Sequence, residues 1–153
     1  MRHLGLVLLI FNGVCAPAGA APLDVTFTGL VVDTCTIAVA TPGIMVLSSS
    51  GTILGSDQPL GVPATVTVLS IGSNTISLSA PTLETHPAAY VPGDETVSMN
   101  YTGLASHPIF SSLGLNFDIG LLSLSSLFVN VKVTDAGGFV QGAYTAKTVL
   151  TCS

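Results

Sequence analysis

Two segments in which apolar or small residues alternate with polar ones stand near the two ends of the chain, and each carries a cysteine on its apolar side. In Val25–Val39 the odd positions are nearly all apolar or small, whereas the even positions are rich in threonine. The same alternation returns in residues 144–152 and ends with Cys152. Because successive side chains of a strand point to opposite faces, both segments are predicted to be strands with one buried face. On the first strand this face includes Cys35, and Asp33 is its one charged residue.

The two cysteines are predicted to pair with each other. A disulfide between Cys35 and Cys152 would join the first strand to the last across more than 100 residues. Chain-entropy arguments assign such a bridge about 4 to 5 kcal/mol, which is comparable with the whole net stability of a small domain. Two free buried thiols are the simplest alternative. A metal site would be a second one, although neither cysteine has another ligand at a usual spacing.

The composition favours one all-β domain with hydroxylated rather than charged outer faces. The chain has 153 residues, of which 48% are hydrophobic and only 7% are charged. Threonine-rich strands fit this balance, while a coiled coil does not, because glutamate, lysine and arginine are scarce. The formal net charge is −5, and no basic patch is present, so we expect no nucleic-acid partner.

Residues 1–20 have the features of a signal peptide. Arg2 and His3 form a short positive start, Leu4–Phe11 is an apolar run, and residues 18–20 offer a small-residue cleavage site. The run is too short to span a bilayer, so no transmembrane segment is expected in the mature chain. Cys15 would leave with the signal unless the chain is lipidated there. The mature chain would then keep two cysteines, and its net charge would change to −6 through loss of Arg2.

Residues 21–153 are predicted to form a single antiparallel β-sandwich. The alternation and the turn residues indicate seven or eight short strands. The Gly72-Ser73-Asn74 turn is expected to join residues 62–71 and 75–80 as a hairpin, and residues 121–127 are compatible with either a strand or a short helical turn. The strands expected between the two end segments are Ile44–Leu47, which Thr52–Leu54 could continue, residues 62–71, Thr75–Ala80, Glu95–Tyr101 and Phe128–Thr134, and Asn116–Leu122 could be one more.

No constellation in the sequence names a reaction. His86 and His107 each precede a proline, which favours extended loop backbone, and their spacing to Glu84 or Asp94 matches no familiar metal-ligand pattern. Adjacent carboxylates such as Asp94 and Glu95 tend to point apart in extended structure. No serine lies in a Gly-x-Ser-x-Gly turn, and no glycine-rich phosphate loop precedes a helix. We therefore expect no catalytic residue, no metal and no cofactor.

The opening strand resembles the first core strand of chaperone-usher pilins. The resemblance rests on the pattern Val25-x-Phe27-x-Gly29-x-Val31-Val32-x-x-Cys35-x-Ile37 close behind a signal peptide. The ending, Gly142-x-Tyr144 followed by an alternating strand, is similar to the closing strand of pilins and of spore coat protein U-like domains. This resemblance implies an immunoglobulin-like sandwich that is completed by a strand from a chaperone or a neighbouring subunit.

The sequence departs from polymerising pilins in two ways. Only Ala21–Asp24 stand between the signal peptide and the first core strand, where such pilins carry a longer donor segment. The predicted disulfide also joins the first strand to the last rather than two early neighbours. The protein could therefore be a terminal subunit, could use Val25–Val31 itself as the donor, or could be a self-contained sandwich.

The functional expectation is an exported, non-catalytic structural subunit of a bacterial surface assembly, fimbrial or coat-like. Its location would be the periplasm, the cell surface or the extracellular space, with like subunits or a periplasmic chaperone as partners. The residues expected to exchange between subunits are Val25, Phe27, Gly29 and Val31. The alternative is a monomeric secreted or periplasmic binding module, against which stands the shortage of aromatics, with no tryptophan in the chain.

Overall fold

The computed structural model of the chain describes residues 33–120 and 122–153, and within these residues it contains twelve β-strands and no helix. The predicted all-β class is confirmed, and every strand pair is antiparallel. The predicted signal peptide (residues 1–20) and the predicted exchange residues Val25, Phe27, Gly29 and Val31 lie outside the described residues. The strands are β1 (Thr34–Thr41), β2 (Val46–Leu47), β3 (Ile53–Gly55), β4 (Ala64–Ile71), β5 (Asn74–Leu78), β6 (Thr82–Thr85), β7 (Thr96–Gly103), β8 (His107–Ser111), β9 (Leu115–Ile119), β10 (Leu122–Thr134), β11 (Thr145–Lys147) and β12 (Leu150–Cys152).

The larger sheet is built on β10, a strand of 13 residues. One edge of β10 pairs first with β4 and then, nearer its C-terminal end, with β3, while the opposite edge pairs with β7. The outer strands of this sheet are β1 beside β4, β2 beside β3, and β8 beside β7. Residues 122–127 belong to this sheet as part of β10, so the helical-turn alternative is wrong for them.

Two smaller sheets complete the described part of the fold. One is ordered β12-β5-β9 and the other is the pair β11-β6. Side chains of β5 and β9 share one buried cluster with side chains of β4, β7 and β10, so the larger sheet faces the three-stranded sheet across a common core. The buried members are Val66, Val68, Ile76, Leu78, Met99, Tyr101, Ile119, Leu127 and Val129.

The turn at Gly72–Asn74 does not make the hairpin that the sequence suggested. The chain instead leaves the larger sheet after β4 and enters the smaller sheet as β5. Gly72 takes a positive φ of 93°, and the Asn74 side-chain amide donates to the Ser70 hydroxyl (2.8 Å) and the Ile71 carbonyl (3.2 Å). Val68 of β4 and Ile76 of β5 are both buried in the common core, which they reach from the two facing sheets.

The closing segment is divided between two sheets rather than forming the one strand predicted from residues 144–152. β11 pairs with β6, whereas β12 pairs with β5. The break falls at Thr148 and Val149, which bond to Ser79: the Thr148 hydroxyl donates to the Ser79 carbonyl (2.7 Å) and the Val149 N–H donates to the Ser79 hydroxyl (2.9 Å). The described residues contain twelve strands rather than the predicted seven or eight: this division adds one, and β6 and β8 lie in stretches for which no strand was predicted.

Candidate functional site

A seam runs along one side of the fold, where the edge strand of the larger sheet meets the edge strand of the smaller one. In the described residues β1 pairs only with β4, and β12 pairs only with β5. The predicted disulfide between Cys35 and Cys152 is present and crosses this seam, with a Cα–Cα distance of 6.1 Å. Both cysteines and Ile37 pack against the core. The disulfide therefore fastens the two strand edges together at one end of the seam.

The other end of the seam is open. Cys35, Ile37 and Val39 share one face of β1, but the Val39 side chain is 67% exposed, whereas Ile37 is packed against the core. An apolar groove of about 580 Å³ begins here, between β1 and the segment that contains β11 and β12. Its floor includes Val66 and Val129, which are only 3% and 4% exposed, so the groove reaches the core while the core residues stay almost fully buried.

Small residues keep the groove open. Ala64 and Ala146 lie on its two sides, where larger side chains would fill the space. Gly43 lets the chain that follows β1 approach β4, because a Cβ at this position would stand 3.0 Å from the Ala64 nitrogen. Ala146 is the inward-facing residue of β11, since the alternation exposes its neighbours Thr145 and Lys147. The local alternation and the choice of alanine together produce the cavity.

Exposed apolar residues lie on the backbone bridge that reaches the groove at Ile44 and on the turn just before it. Ile44, which lines the groove, pairs with Val62 through two backbone hydrogen bonds of 2.8 and 2.9 Å. The side chains of Ile44 and Val62 are 55% and 39% exposed, and Leu60, two residues before Val62, is 90% exposed. We call Ile44, Leu60 and Val62 the lip. The turn residues of 55–61 predict only a loop, and the sequence signal for the lip is the leucine between Pro59 and Gly61.

An aromatic cluster fixes the position of the segment that leads into β11, which lines one side of the groove. Tyr90 stacks on Phe139 with a ring-centroid distance of 5.8 Å, and Tyr144 meets both rings edge-on at 5.3 to 5.4 Å. The Tyr144 hydroxyl donates to the Val140 carbonyl (3.0 Å) and accepts from the Val140 N–H (3.1 Å). Tyr144 lines the groove and directly precedes β11. The cluster therefore anchors the start of β11 at the side of the groove.

The same cluster holds a buried carboxylate. The Tyr90 hydroxyl donates to Asp135 Oδ2 at 2.5 Å, and the Gly137 N–H donates to Asp135 Oδ1 at 2.7 Å. Burial, followed by the hydrogen bond to Asp135 and by its negative charge, raises the pKa of Tyr90 well above its ordinary value of 10.0. Tyr90 therefore stays protonated, and remains a donor to Asp135, to a higher pH than a tyrosine with the ordinary pKa would.

The polar residues that the sequence suggested as candidates are not brought together. His86 packs against Tyr90, whereas His107 packs against Tyr101. Glu84 forms an exposed ion pair with Lys147 at 3.6 Å, and Glu95 accepts a hydrogen bond from the Gly93 N–H at 2.6 Å. Among residues 33–120 and 122–153, no three histidine, cysteine, aspartate or glutamate side chains are close enough to hold a metal ion.

Comparison with known proteins does not assign the chain to a family. No family model matches the chain, and a search of curated proteins finds no match to it. In the part of the chain that the structure describes, no helix is long and apolar enough to cross a membrane.

Proposed function

We propose that the protein is an exported, non-catalytic structural subunit of a surface assembly, and that the groove accepts an extended segment of another copy. The observation that carries this proposal is the combination of an apolar groove with two flanking strand edges. β1 and β12 each pair on one side only within the described residues, and the groove opens between their sheets onto the core. The proposal includes an immunoglobulin-like sandwich that is complete only when the seam is filled.

Strand edges and apolar pockets are the two components of β-augmentation. An extended segment bonds to an exposed edge through its main chain, and its alternate side chains enter the pockets. Val39 and Ile44, which both line the groove and are more than half exposed, offer apolar surface for such side chains. Burying that surface would favour the filled state by about 25 cal/mol for each Å² removed from water.

The segment with matching chemistry is Val25–Val31. Its odd positions are Val25, Phe27, Gly29 and Val31, and residues 25–32 contain no charge. No glycine, proline or asparagine stands between Gly29 and Cys35, so the pattern favours a straight course rather than a reversal onto β1. Because this segment precedes the disulfide end of β1 and the groove lies at the other end, we infer that it fills the groove of a neighbouring copy. A periplasmic chaperone would protect the groove before assembly.

The test compares two pairs of charged substitutions in the same segment. Phe27→Asp with Val31→Asp places charges on the apolar face, and Thr26→Asp with Thr28→Asp, the matched control, places them on the other face. Protein sheared from expressing cells is run on an unheated, non-reducing gel. We expect wild type and the control to give a ladder of subunit multiples that collapses on boiling, and the Phe27/Val31 variant to give monomer.

Two outcomes would contradict the proposal: an unchanged ladder in the Phe27/Val31 variant, or a single monomer band for wild type. The monomer band would favour a self-contained binding module for a small apolar ligand. That second function is supported by the disulfide from the first strand to the last and by the groove volume of about 580 Å³, which lies within the usual range of ligand pockets.

A further inference from the structure

Leu60 has an unusual combination of backbone conformation and exposure. It is the one non-glycine residue with a positive φ (72°) in the described residues. It occupies the third position of a turn that the Gly61 N–H closes by donating to the Gln58 carbonyl at 2.8 Å. Glycine or asparagine is favoured at such a position, because a larger side chain crowds the backbone there. The leucine side chain is nevertheless 90% exposed, so nothing within the described domain compensates for this choice.

The loop that carries Leu60 is fixed to the groove at both ends. At its start, the buried Ser56 lines the groove and is bonded to β10: its N–H donates to the Val131 carbonyl (2.9 Å), and its hydroxyl accepts from the Val131 N–H (3.0 Å). At its end, Val62 is paired with Ile44 in the groove edge. The leucine is therefore presented beside the groove by a loop with two anchored ends.

We propose that Leu60 is an assembly contact: it packs on the extended segment of a second copy when the groove holds that segment, and Ile44 and Val62 extend the contact. This inference rests on the proposed function, since it names a contact made in the filled groove. The lip and the incoming segment are compatible in polarity. The lip residues are apolar, and residues 25–32 of the incoming segment carry no charge. Asp57, the charged residue of the loop, is bonded to the Gln58 side chain (3.2 Å).

If Leu60 is an assembly contact at a strained backbone position, replacing it with glycine should have opposite effects on the stability of the free domain and on binding of the segment. Leu60→Gly removes the steric cost of the positive φ and removes exposed apolar surface, so the free domain should gain stability. The same change removes the side chain that contacts the segment, so binding should weaken. Leu60→Ala keeps a Cβ at the positive φ but also removes most of the contact. The two variants therefore separate backbone relief from loss of the side chain.

The experiment uses a labelled synthetic peptide of residues 23–33 as the probe. The receptor is the full chain carrying Phe27→Asp and Val31→Asp, so that its own segment does not compete. Peptide affinity and the thermal unfolding midpoint are measured for this receptor and for its Leu60→Gly, Leu60→Ala and Val91→Ser forms. Val91 is the matched control because it is 85% exposed in the loop between β6 and β7.

We expect both Leu60 variants to bind the peptide roughly tenfold more weakly, as for loss of a partly buried leucine contact. Only Leu60→Gly should raise the unfolding midpoint, and Val91→Ser should leave the affinity unchanged. Equal peptide affinity in all four receptors would overturn the role of Leu60 while leaving the proposed function intact. Failure of the peptide to bind any receptor would overturn the proposed function, and the Leu60 contact with it.

Discussion

The hydroxyl of Tyr90 is the single donor that links the loop before β7 to the carboxylate of Asp135 after β10. Asp135 is only 6% exposed and Tyr90 only 4%, so neither group can exchange its hydrogen bond for water. Tyr90→Phe would remove the donor and leave the stacked ring in place. We expect the variant to be destabilised by about 1 to 3 kcal/mol, the usual cost of leaving a buried acceptor with one partner fewer. Urea unfolding measures this, with Tyr144→Phe as the more exposed control that should lose less.

The raised pKa of Tyr90 makes the stability of the fold decrease at high pH. The folded pKa lies above the unfolded value of 10.0, because burial and Asp135 disfavour the phenolate. Above pH 10 the unfolded chain therefore releases a proton that the folded chain retains, and stability falls as the pH rises. Burial raises the pKa of Tyr101 as well, so part of the decline should remain in Tyr90→Phe. An equally steep decline in wild type and variant between pH 9 and 11 would contradict the assignment to Tyr90.

At the scale of the strands, the disulfide is the covalent link across an otherwise open seam. β12 is a three-residue strand paired with β5, and Cys152 at its end ties it to β1 of the facing sheet. We expect the pair Cys35→Ser and Cys152→Ser to lower the free energy of unfolding by up to about 4 to 5 kcal/mol, from the 117-residue separation of the two cysteines. Wild type in reductant should unfold at the same urea concentration as the double variant. A midpoint that reductant leaves unchanged would show that the link adds no stability.

Strand identity was predictable from the sequence more reliably than strand partnership. The strand predicted over Glu95–Tyr101 is present as β7, and Met99 and Tyr101, two residues apart on one face, are buried. Alternation records which side chains are buried, but it does not say which sheet buries them. The Gly72–Asn74 turn therefore suggested a hairpin, although the chain crosses there to the other sheet. The groove was not predicted for a related reason: its sides come from β1 and from β11, and the position of β11 depends in part on the hydrogen bonds of Thr148 and Val149 to Ser79, some 70 residues away.

At the scale of the whole molecule, the groove is an unfilled apolar space that reaches the core of the described fold. Filling it should prevent assembly without impairing folding. Ala146 faces the groove from β11, so Ala146→Phe would place an aromatic ring in the space that the incoming segment needs. Burying that ring within the domain should preserve or raise stability, because about 580 Å³ is available.

The matched control is Thr151→Phe, which adds the same ring to the outward face of the neighbouring β12, where Thr151 is exposed. On unheated gels of surface-sheared protein we expect Ala146→Phe to run as monomer and Thr151→Phe to keep the ladder, while urea unfolding shows both variants folded. A folded Ala146→Phe that still forms the ladder would mean that assembly uses another surface. Loss of the ladder in both variants would instead place the contact on the outer face of β12, and the seam would then be a stabilised edge rather than an acceptor.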